Sequence, residues 1–136
     1  MTQDEIRKRY SGVQTFLTDG CYFLSLCSIA EECTGIRVDV LDAVSHAVSN
    51  DWATADAFIN EPCKILRYLT GGKIEWRLDV EPKVPEKVPD EMYTVLKYFN
   101  ARTGYTHFKR RYVDTLQDSR TVVEGKIISC YCFTRG

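Results

Sequence analysis

The period of the sequence changes at Gly71-Gly72, and that break limits what the chain can fold into. Before it, apolar residues recur every three or four positions, the spacing of a buried helix face. After it, Lys73-Ile74-Glu75-Trp76-Arg77-Leu78-Asp79-Val80 alternates, the spacing of a strand with one buried side. Helices first and strands afterwards predict an α+β fold, with N-terminal helices packed on a C-terminal antiparallel sheet.

The helical half divides at its caps. Thr2-Gln3-Asp4-Glu5 fits a capping box and predicts a first helix to about Leu17, with Gly12 as a break point. After the turn Asp19-Gly20, the stripe Phe23, Leu26, Cys27, Ala30 and Cys33 predicts a second helix from Cys21, stopped by Thr34-Gly35. A third starts at Asp39 and turns Val40, Ala43, Val44, Ala47 and Val48 inward until Asn50-Asp51. The fourth begins near Asn60, with Pro62 in its first turn and Ile65, Leu66 and Leu69 on its buried face.

The second half is punctuated by turns. Glu81 to Asp90 holds Pro82, Pro85 and Pro89 and reads as a connecting loop. Met92 to Asn100 is a strand, Ala101-Arg102-Thr103-Gly104 a turn, and Tyr105 opens the next strand. Gly125 precedes a last strand from Lys126 to Thr134. The strands are expected to follow one another as a meander.

At 136 residues a single domain, 1–136, is expected, large enough for a core without disulfides. With 44% apolar and 27% charged residues the composition is that of a globular chain rather than a disordered one. The net charge of -1 gives no reason to expect nucleic-acid binding, and Lys109-Arg110-Arg111 reads as a solvated face. The N-terminus lacks a signal-peptide pattern, and no stretch has the length of a membrane helix, so a cytoplasmic protein with no membrane partner is expected. The six cysteines are then core residues, ligands or a nucleophile before they are disulfides. Cys27 and Cys33 sit on the apolar stripe and read as core, as does Cys63. Cys130-Tyr131-Cys132 puts two thiols on one strand face, but zinc needs two more ligands and no Cys-x-x-Cys pair supplies them.

Cys21 differs from the other five. It follows Gly20, precedes the stripe and occupies the first turn of its helix, where the partial positive charge favours thiolate. A cleft is expected there. His107, in Tyr105-Thr106-His107-Phe108, is the histidine to activate it, whereas His46 lies mid-helix between Ser45 and Ala47 and reads as structural. An acid must orient the imidazole. His107 and Asp114 differ by seven, so on one straight strand they face opposite sides. A two-residue hairpin turn at Arg110-Arg111 would pair His107 with Asp114, with Cβ atoms about 5 Å apart. Arg-Arg is a poor choice for such a turn, which prefers Asn or Gly. Asp118 and Asn100 are the alternatives. The Cys21 N–H is a natural oxyanion donor, and Gln14 is the candidate side-chain donor upstream.

Gly20-Cys21-Tyr22-Phe23-Leu24-Ser25-Leu26, Glu61-Pro62-Cys63-Lys64-Ile65-Leu66, Thr106-His107-Phe108 and the run Asp114 to Val122 together resemble a small family of bacterial and phage- or plasmid-borne proteins. That family in turn resembles the papain-like cysteine peptidases, in particular the compact bacterial branch that cleaves leader or cell-wall peptides. The resemblance spans most of the chain from Val13 onward. It implies a papain-like fold with Cys21 as nucleophile, His107 as base, Asp114 as the orienting acid and Gln14 at the oxyanion hole. Gln14 stands seven residues before Cys21, one more than the usual spacing, and Asp114 is followed by Thr115 where relatives have proline.

The expected function is therefore a cysteine hydrolase cleaving a peptide or isopeptide amide in a peptide or protein substrate, with no metal or organic cofactor. The alternatives are an inactive papain-like binding protein of a mobile element that engages a host protein, and an amide-side-chain deamidase using the same groups.

Overall fold

The structure, a computed structural model, describes residues 20–111 and 125–136. The expected first helix, Gln14, Asp114 and Asp118 lie outside those residues.

Three helices precede four strands. The first, α1 (Cys21–Thr34), turns Phe23, Leu26, Cys27 and Ala30 inward, as its stripe requires. It stops at Gly35, whose φ of 71° is the left-handed conformation that glycine adopts without a Cβ penalty. In α2 (Val40–Ser49), the Asp39 carboxylate caps the helix by accepting from the Asp42 N–H at 3.2 Å. In α3 (Pro62–Leu69), proline fills a first-turn position where no N–H is needed, and Ile65 and Leu66 are buried. The periodic break at Gly71-Gly72 is the turn that leaves this helix, with φ of 96° and 82°.

The strands are β1 (Trp76–Glu81), β2 (Met92–Phe99), β3 (Thr106–Arg110) and β4 (Lys126–Arg135). They form one antiparallel sheet, but not the expected meander: the order is β1-β4-β2-β3. The last strand enters the middle of the sheet, between β1 and β2. Its composition suits that place, because Cys130, Cys132 and Phe133 are all buried there. β1 carries Arg77, Asp79 and Glu81, and β3 carries Lys109. Charge at the margins discourages further strand pairing.

The main core lies between the helices and one sheet face. Phe23, Leu26, Ile29, Ala47, Ile65, Leu66, Val95 and Phe133 meet there. A second cluster occupies the other face, where Leu96, Cys130 and Cys132 are packed by Met92, Tyr98 and, from the proline-rich loop, Val84. The Arg111 guanidinium donates to the Pro85 carbonyl at 2.8 Å, tying that loop to the end of β3. No helix among the described residues is long and apolar enough to cross a membrane.

Candidate functional site

Cys21 is the first residue of α1, after an N-cap, Gly20, that offers no side-chain cap. No acidic residue stands in the first turn to neutralise the positive end of the helix dipole. The Cys21 Sγ accepts a hydrogen bond from the Phe108 backbone N–H at 3.3 Å. This contact joins positions 87 residues apart in sequence. The peptide that donates is the one linking His107 to Phe108. Bond geometry then holds Sγ within about 6 Å of the His107 Cα.

Rings hold that contact in place. Tyr22, next to the cysteine, stacks on Phe108 with centroids 4.5 Å apart and planes 23° apart. Tyr131 meets both edge-on, at 5.4 Å from Tyr22 and 5.5 Å from Phe108. Burial, with Tyr131 and Cys63 nearby, pushes the Tyr22 phenol well above its usual range, so it stays protonated and serves as packing.

The alternation of β3 fixes where His107 points. Phe108 and Arg110 face α1. His107 pairs with Tyr98, which belongs to the second cluster, so its Cβ leaves on the opposite sheet face. The thiol lies at the strand's margin between the two faces. His107 is half-buried.

The hairpin expected at Arg110-Arg111 turns on Tyr112, Val113 and Asp114, which lie outside the described residues. The Asn100 N–H bonds to the Tyr105 carbonyl at 3.0 Å and the Arg111 N–H to the Thr94 carbonyl at 3.4 Å. The odd residues of β3 therefore spend their backbone groups on β2, and Phe108 points away from it. The pairing of β3 with β2 ends at Arg110, and Arg111 stands in a turn. Asn100, an alternative orienting group, has its Oδ1 accepting from the Arg102 and Thr103 N–H groups at 3.0 and 3.4 Å. That is a turn-closing role.

The cysteines sort differently from expectation in three places, at Cys21, Cys33 and Cys63. Cys21 is 7% exposed, so its thiol is nearly closed over rather than open in a cleft. Cys33 is only half-buried, in the last turn of α1, and Arg135 reaches its sulfur at 3.7 Å. Cys27 is core as expected, and burial with Glu31 nearby pushes its thiol up to about 12. Cys63 is half-buried, its thiol raised by burial and by Glu61. Cys130 and Cys132 do share a face, sulfurs 3.8 Å apart, both sealed in the second cluster with thiols raised by burial. Among the described residues no group of three or more His, Cys, Asp or Glu is placed to hold a metal.

Arg110 is the residue that sequence reasoning misplaced. It is not part of a solvated basic run but 4% exposed, on the face against α1. Strand parity was the available signal, since Arg110 must share a face with Phe108. A cavity of about 370 Å³ lies at the far end of α1, lined by Thr34, Arg37, Asp42 and Tyr68 among others. The 14 residues of α1 put it about 20 Å from Cys21. His46 stacks on Tyr68 at 3.7 Å, in the structural role its sequence position suggests.

No family model, no curated protein and no solved structure matches this chain.

Proposed function

We propose that the protein is a papain-like cysteine hydrolase acting on a peptide or isopeptide amide, with Cys21 as nucleophile and His107 as general base. One observation carries the reading: the Cys21 thiol, at a helix N-terminus, takes the N–H of the peptide that follows His107. A half-buried histidine on a strand margin can swing its ring over that margin toward the sulfur by rotation about χ1.

In this reading His107 takes the Sγ proton, and the thiolate adds to the amide carbonyl carbon. The oxyanion forms against the N–H groups of the first turn of α1, with Gln14 as the second donor. His107 returns the proton to the leaving amine as the C–N bond breaks, leaving a thioester on Cys21. Water, deprotonated by His107, cleaves the thioester and frees the acid. Asp114 or Asp118 orients the imidazole. The substrate is a cytoplasmic peptide or protein, and no cofactor takes part.

A second reading has its own support. The 7% exposure of Cys21 suits a scaffold of the same kind that binds a partner protein without turnover. A brief iodoacetamide pulse on the folded protein, mapped by mass spectrometry over the six thiols, separates the two. The hydrolase reading expects Cys21 to label first, and His107→Ala to slow it by about a hundredfold. Cys21 labelling last makes it a core thiol and leaves the binding reading.

A further inference from the structure

Arg110 is a costly residue for its place. Its side chain is 5% exposed, on a sheet face covered by a helix, where a methionine or leucine would pack without losing hydration. Its Nε finds no hydrogen-bond partner among the described residues. What the charge gains is direction. Nη1 donates to the Ser28 hydroxyl at 3.0 Å, and Nη2 pairs with the Glu32 carboxylate. Its guanidinium carbon also lies 5.8 Å from the centroid of the Tyr93 ring.

Ser28 and Glu32 are one turn apart, and Cys21 lies two turns before Ser28, so all three fall on one stripe of α1. That stripe faces β3. The two elements are thus tied at two levels. At one, the Phe108 N–H meets the Cys21 sulfur. At the other, about 10 Å further along the helix, the Arg110 fork grips Ser28 and Glu32. One tie alone leaves α1 free to slide or roll against β3. Two ties fix both motions, and these elements carry the proposed nucleophile and base.

We infer that Arg110 is a positioning residue: its fork onto Ser28 and Glu32 sets the register of α1 on β3 and so holds the Cys21 sulfur at the His107–Phe108 peptide. The inference rests on the hydrolase reading for its consequence, but not for its geometry. An apolar residue of similar length keeps the packing and loses the fork, so the variant to make is Arg110→Met. Glu32→Gln, at a side chain 52% exposed, is the milder second variant should the first fail to fold.

Two readouts are taken on each protein. Amide hydrogen exchange at Phe108 reports the register directly, with Val95 and Phe133 in the sheet as internal controls. The pH profile of Cys21 alkylation reports the chemistry. In Arg110→Met, the Phe108 amide exchanges at least about tenfold faster while the control amides keep their rates. The midpoint of the alkylation profile moves up by about one pH unit, toward that of an ordinary thiol. Glu32→Gln shifts both in the same direction by less. An unchanged Phe108 amide in both variants overturns the positioning role, whatever the profile of the native protein. A native profile already that of an ordinary thiol overturns the hydrolase reading instead, and the Phe108 comparison still decides the role of Arg110.

Discussion

Replacing Phe108 by leucine separates what the aromatic cluster does from what the backbone does. The ring makes two aromatic contacts, stacked on Tyr22 at 4.5 Å and edge-on to Tyr131 at 5.5 Å. Each such pair contributes about 0.5–1.5 kcal/mol beyond the apolar area it buries. Lys97, 5.7 Å from the ring centroid, adds a minor cation–π contribution. Leucine keeps most of the apolar surface of this half-buried site and loses the ring geometry. The expected cost is about 2 kcal/mol, or a fall in Tm of about 5–10 °C for a chain of this size. Urea and thermal unfolding give both numbers. A double-mutant cycle with Tyr22→Leu should return a coupling of about 0.5–1.5 kcal/mol. The N–H that reaches Cys21 belongs to the backbone and survives the change, so the Cys21 alkylation profile should hold its midpoint. A stability loss below about 0.5 kcal/mol, or no coupling to Tyr22, would refute the claim that these rings clamp β3 to the start of α1.

Two further perturbations follow from buried groups and backbone shape. The Cys27 thiol is held protonated in the fold, with its ordinary value of 9.0 raised to about 12, so the folded state binds that proton more tightly than the unfolded chain. Its stabilising contribution is complete below pH 9 and is lost as pH rises toward 12, by up to about 1.4 kcal/mol per pH unit. Cys27→Ala should cost about 1–2 kcal/mol at neutral pH yet flatten the decline above pH 9, and urea melts that stay parallel to the native protein's across that range would contradict the assignment. Gly125 has φ of 121° and a position where an added Cβ would lie 2.6 Å from the Phe99 carbonyl oxygen. Gly125→Ala should therefore destabilise by about 1–3 kcal/mol, and an alanine variant melting with the native protein would show that β4 can start differently.

Much of the fold was legible because its signals are local. The stripe Phe23, Leu26, Cys27 and Ala30 is the buried face of α1, and Gly71-Gly72 does end the helical half. Asp39 caps α2, and alternation located the strands to within a few residues. Strand order was not legible, because insertion of β4 between β1 and β2 depends on pairings far apart in sequence. Cys33 shares a stripe with Leu26, seven residues earlier, but stands in the last turn, where burial depends on what passes the helix end. Arg110 was missed for a related reason: charge suggested solvent, while parity with Phe108 pointed to the core, and parity won because Ser28 and Glu32 were there to receive the guanidinium. At the site, sequence singled out Cys21 and His107, and Cys21 does meet the strand at the peptide after His107. It could not foresee that the bond comes from the backbone of Phe108, since no side-chain pattern records it.

The most direct test of the central claim is the pH dependence of Cys21 alkylation by iodoacetamide, measured in the native protein and in His107→Ala. A thiol activated by the imidazole should react with an acid-shifted profile, its midpoint about two pH units below the ordinary thiol value near 8.5. His107→Ala should abolish the shift and leave a single ionisation near that ordinary value. A native profile that already rises only near 8.5, and is unchanged by the loss of His107, would contradict the account and leave Cys21 as a buried cysteine that accepts a backbone hydrogen bond.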